Sequence, residues 1–225
     1  MQEKVTKKGG DVRSKVLHAA ARLFLEKGYA DSTVREIARN AEVNLGSLVF
    51  AFKNKENILC ELVGYVLESQ FKATAELLGD RAQDRVLFYA AETTLQLYMA
   101  ESSEHMREMY NVSYSLPNSA TIIHRTITGK LQEIFGVYHP EWQTRDFYER
   151  EISTAGIMRS HISVPCDMYF TMDRKVRVFL ETTFAVLGVP SAKIEEAVAF
   201  VTGFDWKRVA QDVLANMLTY LENRM

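Results

Sequence analysis

The sequence predicts an all-α protein: a small N-terminal helix-turn-helix domain followed by a larger helical bundle. Three observations carry this prediction. Apolar residues recur at i, i+3 and i+4 through most of the 225 residues. No alternating run closed by a hairpin turn occurs anywhere. Residues 33–52 hold two short amphipathic segments joined by a tight turn.

Taken in order, residues 1–10 lack periodicity and end in Gly9-Gly10, which marks a flexible arm whose Lys4, Lys7 and Lys8 can reach phosphates. A first helix runs from Asp11 to Lys27, with Leu17, Ala20, Leu23 and Phe24 on its apolar face and Gly28 as its stop. The segment Thr33–Asn40 is a short helix with Val34, Ile37 and Ala38 on one side. Ser32 or Thr33 supplies its cap hydroxyl, and Glu36, three residues after Thr33, completes a capping box. After Ala41-Glu42-Val43 a second short helix opens at Asn44 and ends at Phe52, with Leu48 and Phe52 turned back toward Val34 and Ile37. Asn44, Ser47 and Phe50 are left on the outward face, with Leu45 at its rim. Two short helices locked at a steep angle, the second presenting a small exposed face, suit the major groove of DNA.

The polar turn Lys53-Asn54-Lys55-Glu56 leads into a long helix from Lys55 to Leu78, with Ile58, Leu59, Leu62, Val66 and Leu77 on one side. Turn signals such as Gly79-Asp80, Pro117-Asn118, His139-Pro140 and Gly188-Val189-Pro190 cut the remainder into amphipathic helices over 82–101, 103–115, 119–137, 141–163, 171–187, 191–202 and 205–222. The expected organisation is an arm (1–10), a helix-turn-helix domain (11–54) and a larger helical bundle (55–225).

Composition narrows the function. An apolar content of 47% supports a large core and excludes disorder. Cys60 and Cys166 stand at unrelated places and read as reduced, buried small residues of a cytoplasmic protein. No apolar run reaches the roughly 20 residues that span a bilayer, so no membrane association is expected. Residues 1–60 carry eleven Lys/Arg against seven Asp/Glu, and the rest sixteen against twenty-two. A basic first part beside a helix-turn-helix points to a polyanion. The five histidines (His18, His105, His124, His139 and His161) show no metal-ligand spacing, so no metal or cofactor is expected. Glycine-rich phosphate loops and nucleophile elbows are missing too, and Glu149/Glu151 read as solvated helix charges, so no catalytic residues are assigned.

The segment from Leu17 to Tyr29 (LHAAARLFLEKGY) resembles the first helix of TetR-type transcriptional regulators. Ser32–Ala38 (STVREIA) resembles that family's second helix, and Ala41–Leu48 with Phe52–Glu56 resembles its turn, recognition helix and entry to helix four. The resemblance covers about residues 12–62. It departs at Glu42, where the family usually has Gly, and a Glu there needs an unstrained backbone angle. It departs also at Val49 and Ala51, where phosphate-holding aromatics or His are usual, and at Leu45, commonly polar or basic.

The resemblance implies a dimeric repressor that leaves a pseudo-palindromic double-stranded DNA operator when a small apolar or amphipathic effector binds. A dimeric helical adaptor or an activator with a degenerate reading head is the alternative. Thr33 and Lys55 are the expected phosphate contacts, with Arg35 and Lys53 beside them. Asn44, Leu45, Ser47 and Phe50 form the base-facing surface, Leu45 and Phe50 suiting thymine methyl groups, and Val49 completes the DNA-binding set. The effector site is expected at Phe88, Met99, Met106, Met109, Tyr110, Ser113, Tyr114, His124 and Met158, with Tyr110, Ser113 and His124 as polar anchors. A bound effector would tilt helix four. The homodimer seam is expected among 141–163, 171–187 and 191–222, with Ala155, Gly156, Val198, Val201, Val209, Val213 and Leu214 as candidate surface.

Overall fold

The computed structural model describes the backbone of residues 2–224 and the side chains of residues 12–224. Eleven helices follow one another: α1 (Gln2–Lys27), α2 (Val34–Asn40), α3 (Leu45–Phe52), α4 (Lys55–Leu78), α5 (Arg85–Glu101), α6 (Glu104–Ser115), α7 (Pro117–Phe135), α8 (Thr144–Ser163), α9 (Met172–Val186), α10 (Ser191–Val201) and α11 (Trp206–Glu222). No strand occurs among the described residues. Helix α1 begins at Gln2 rather than Asp11, so the backbone expected as an arm is helical. The side chains of Lys4, Lys7 and Lys8 lie outside the described residues.

Helix boundaries follow the capping chemistry. Thr33 and Glu36 make the expected capping box at α2, and Asn44 Oδ1 accepts from Ser47 N at the start of α3. Asn54, Ser103 and Thr171 cap α4, α6 and α9 in the same way. Asp84 accepts from the N–H groups of Val86 and Leu87, which moves the start of α5 from 82 to Arg85 and leaves Gly79–Gln83 as a 3-10 turn. A capping box of Gln143 with Asp146 likewise moves α8 from 141 to Thr144.

Helix α5 is the axis of the bundle. It packs against α4, α6, α7, α8, α9, α10 and α11. Its residues are buried on every side, Glu92, Thr93, Thr94 and Gln96 among them, so the amphipathic expectation is wrong for this helix. A helix enclosed by neighbours has no solvent face to which polar residues can be assigned. Cys60 is buried, but Cys166 is only half-buried, with its Sγ 3.7 Å from Met172 Sδ. Lys175 is 1% exposed and holds Glu101 Oε2 at 2.7 Å and the Val164 carbonyl at 2.6 Å, which fastens α9 to α5 and to the end of α8.

Candidate functional site

The reading head is built on α1. Phe24, Ile37, Leu48, Phe52 and Ile58 join the core shared by α1, α2, α3 and α4, and Val34 packs half-buried against it. With one face of α3 so anchored, the other is free. Phe50 is 92% exposed, Val49 44% and Leu45 39%. Asn44, Arg35 and Lys53 are exposed as well, and Ser47 is half-buried. The Asn44 amide oxygen is spent on the cap, which leaves its N–H groups to offer a base.

Two expected phosphate ligands are already engaged. The Thr33 hydroxyl donates to Glu36 Oε2 at 2.7 Å, and Thr33 N donates to the same oxygen at 2.9 Å. Hydrogen bonds from Lys27 and then from Thr33 hold the Glu36 carboxyl down to about 2. Lys55 points inward: its ammonium donates to the carbonyls of Tyr29 at 2.7 Å and Ser32 at 2.8 Å, and sits 4.1 Å from the Tyr29 ring centroid. It ties α4 to the α1–α2 loop, and that geometry does not support a free phosphate grip.

Two residues of the head hold positive φ. Glu42 has φ +54°, against the expectation of an unstrained angle. It occupies the left-handed position that ends α2: Glu42 N donates to Arg39 O at 3.1 Å and Val43 N to Ala38 O at 3.0 Å. This is the Schellman pair, which favours glycine at that residue. Lys53 has φ 66° and ψ −52°. Asn54 N donates to Phe52 O across it at 2.8 Å, a strained three-residue turn that swings the chain from α3 into α4.

Two clasps fix the head, and sequence patterns did not disclose either. Arg13 of α1 donates to Ala51 O at 2.8 Å, stands 4.5 Å from the Phe52 ring centroid and pairs with Glu61 of α4. It thereby covers the end of α3. From the bundle, Glu108 of α6 accepts from Tyr29 N at 3.0 Å and Ala30 N at 2.8 Å, and His105 Nδ1 lies 2.9 Å from Leu25 O. Gly28, at φ +87°, makes room for this: a Cβ there would stand 2.3 Å from Glu108 Oε2. Only the Gly28 stop signal was visible beforehand, since contacts 79 residues apart leave no periodic trace.

Helix α6 also lines a cavity with two adjoining lobes that share Gln96 and Tyr114. One lies among α4, α5, α7, α8 and α9 and takes in Phe88, Glu92, Tyr114 and Met158. The other lies between α4 and α6 and takes in Gln70, Met106, Met109, Tyr110, Ser113 and Tyr114. Two of the expected lining residues are elsewhere. Met99 is buried behind Tyr110, with Tyr110 Oη 3.8 Å from its sulfur. His124 lies behind Glu151, with Nδ1 3.3 Å from Oε1. Ser113 donates to Met109 O at 2.7 Å, so its hydroxyl is already used.

The polar wall was missed. Gln70 donates to Tyr110 Oη at 2.9 Å and Gln96 to Tyr114 Oη at 2.7 Å. Glu151 is 2% exposed, which corrects its assignment as a solvated charge. Burial pushes its carboxyl up, opposed by the hydrogen bond with His124, and that bond in turn raises the imidazole. Glu92 is 4% exposed, and burial together with Glu151 pushes it up to about 8.

The seam candidates separate by burial. Val198, Val201 and Val213 turn into the core, and Val209 and Leu214 pack against it. Ala155 lines the cavity. On α8, by contrast, Tyr148, Ile152 and Gly156 form one exposed i, i+4, i+8 face, and α9 beside it exposes Val178, Thr182 and Ala185. Among the described residues no cluster of His, Cys, Asp or Glu is arranged to hold a metal ion, and no helix is long and apolar enough to cross a membrane.

Residues 16–62 match the family described as bacterial regulatory proteins, tetR family. The HTH-type transcriptional repressor KstR2 of Rhodococcus jostii (strain RHA1) is 34% identical over 82 residues, 36% of this chain and 40% of the relative. The Probable HTH-type transcriptional regulator YttP of Bacillus subtilis (strain 168) is 35% identical over 79 residues, 33% of this chain and 38% of the relative. The matches thus span about two fifths of those relatives. Among solved structures, RolR in complex with resorcinol shares the fold with a TM-score of 0.66 at 18% identity, covering 86% of this chain and 95% of that one. The helix-turn-helix over residues 16–62 thus matches the tetR family of bacterial regulatory proteins, and the chain as a whole shares its fold with RolR.

Proposed function

We propose that the protein is a dimeric, DNA-binding transcriptional repressor, released from a pseudo-palindromic operator when a small apolar or amphipathic effector enters the bundle. One observation carries this proposal. Helix α6 holds the α1–α2 loop through Glu108 and the end of α1 through His105, and lines the cavity through Met106, Met109, Tyr110 and Tyr114 along its length. A ligand that displaces α6 therefore acts on the head through charge-assisted hydrogen bonds. Helix α4, which lines both lobes and carries the Lys55 tie, moves with it. The coupling needed is modest, about 1–3 kcal/mol of differential binding.

Asn44, Leu45, Ser47 and Phe50 are the proposed base contacts, with Val49 beside them on the DNA-facing side and Arg35 and Lys53 on phosphates. The exposed faces of α8 and α9 are the proposed homodimer seam, since their apolar residues are not consumed internally. A second possibility, a dimeric adaptor that does not bind an operator, draws support from the inward-turned Lys55.

Electrophoretic retardation of DNA from upstream of the gene and its neighbours, across a salt series, separates the two. A regulator gives specific retardation that weakens steeply with salt. A folded dimer without specific retardation even at low salt refutes the repressor.

A further inference from the structure

We infer that the cavity recognises an organic cation, an ammonium or amidinium group carried on an apolar or aromatic body, with the Glu92 carboxylate as its counter-ion. The inference rests on the effector-sensing proposal above and specifies its ligand. Glu92 stands in the middle of α5, walled in by the bundle, and its Oε1 has no hydrogen-bond partner. An unpartnered buried carboxyl oxygen is costly and calls for an explanation. A donor supplied by a ligand is the one the cavity suits.

The polar inventory argues for the sign of the charge. Three nitrogens of the wall are engaged: Gln96 Nε2 by Tyr114, Gln70 Nε2 by Tyr110, and Lys130 Nζ by Glu133 at 3.0 Å. The buried side-chain atoms of the wall left without any partner are oxygens, Glu92 Oε1 in one lobe and Gln70 Oε1 in the other. Glu151 supplies a second carboxyl on the same wall, so an anionic ligand would face two acids. The rings of Phe71, Phe88, Tyr89, Tyr114 and Phe179 enclose the Glu92 lobe, and aromatic faces stabilise a desolvated cation.

The proton balance gives a signature. A cation selects ionised Glu92, so binding releases to solvent the proton the carboxyl holds in the empty cavity. The groups facing Glu92 are Tyr89 on its own helix, Tyr114 on α6, Lys130 on α7, and Glu151 on α8 with His124 behind it. Burial keeps both tyrosine hydroxyls protonated. His124 loses its proton as pH rises, which removes a positive charge beside the site and works in the same direction as Glu92.

Calorimetric titration of the full chain tests this with benzylamine, 2-phenylethylamine and 4-phenylbutylamine, each against the alcohol of the same skeleton. At pH 8 at least one amine binds ten-fold or more tightly than its alcohol, and its affinity falls ten-fold or more at pH 6. Glu92→Gln, checked for native helicity by circular dichroism, loses the preference for the amine and keeps the affinity for the alcohol. Binding of no amine, equal binding of amine and alcohol, or a preference that survives Glu92→Gln overturns the inference. Adding the bound amine to the protein–DNA complex reads the other claim separately. An amine that binds and leaves DNA affinity unchanged refutes effector sensing while the cation site stands. Specific DNA binding without amine preference refutes only the cation site.

Discussion

Replacing Glu42 by glycine is expected to stabilise the reading head. Glu42 ends α2 at φ +54°, where its N–H and that of Val43 close the Schellman pair on Arg39 O and Ala38 O. An L side chain in the left-handed region costs about 1–2 kcal/mol. Glycine removes that cost but gives back about 0.4–1 kcal/mol through the greater freedom of the unfolded chain. The net gain is about 0.5–1 kcal/mol, a rise of roughly 1–4 °C in Tm for a chain of this size. Thermal unfolding followed by circular dichroism reads it, with Glu42→Ala and Glu42→Gln as controls. Both controls keep the Cβ and its strain, so both are expected within about 0.5 kcal/mol of the parent. If Glu42→Ala stabilised as much as Glu42→Gly, charge and not backbone geometry would be the cause. If Glu42→Gly destabilised, the assignment of strain would be wrong.

Lys55→Met removes the ammonium from the carbonyls of Tyr29 and Ser32 and is expected to cost about 1–3 kcal/mol, the range for hydrogen bonds to a charged group. Unchanged thermal stability with weakened DNA binding would instead restore its role as a phosphate contact. Lys175→Met leaves the half-buried Glu101 without its lysine and the Val164 carbonyl without its donor and should cost about 1.5–3 kcal/mol in denaturant titrations. The Glu92 carboxyl is raised from 4.5 in the unfolded chain to about 8 in the fold, so the folded state binds the proton more tightly. Stability therefore falls as pH climbs from about 5 to 8, and Glu92→Gln should flatten that slope in urea titrations. Phe50→Ala, at a residue 92% exposed, should leave Tm unchanged while altering operator preference among A·T and G·C positions.

What the sequence disclosed was local and periodic. The capping boxes, the Gly28 stop and the 3.6-residue stripes placed nearly all the helices, because each signal is contained within a few neighbouring residues. Of the residues expected around an effector, Phe88, Met106, Met109, Tyr110, Ser113, Tyr114 and Met158 line one lobe or the other. The failures share a cause. Glu151 has the local surroundings of a solvated helix charge, and Glu92 sits in a helix that neighbours cover on all sides. Whether such a residue is buried is decided by chain segments dozens of positions away. Lys55 fails for the same reason, since its carbonyl partners lie 23 and 26 residues earlier.

The arrangement of those long-range contacts bears on how a cavity event reaches DNA. The joint between head and bundle is polar and discrete, with two oxygens of Glu108 on two successive backbone N–H groups and His105 on the end of α1. Hydrogen bonds of this kind depend on direction as well as distance and weaken steeply once misaligned, whereas packed apolar contacts have no such directional requirement. Gly28 enforces the close approach, because a Cβ at that point would collide with the Glu108 carboxylate. A small displacement of α6 thus has a sharp consequence for the α1–α2 loop and, through the capping box at Thr33, for the angle at which α2 presents α3. Gly28→Ala is therefore expected to uncouple the two halves, reducing the effect of a cavity ligand on DNA affinity more than it reduces ligand binding itself. Equal losses in both, measured by titration of the ligand against free and DNA-bound protein, would show that the joint is only structural.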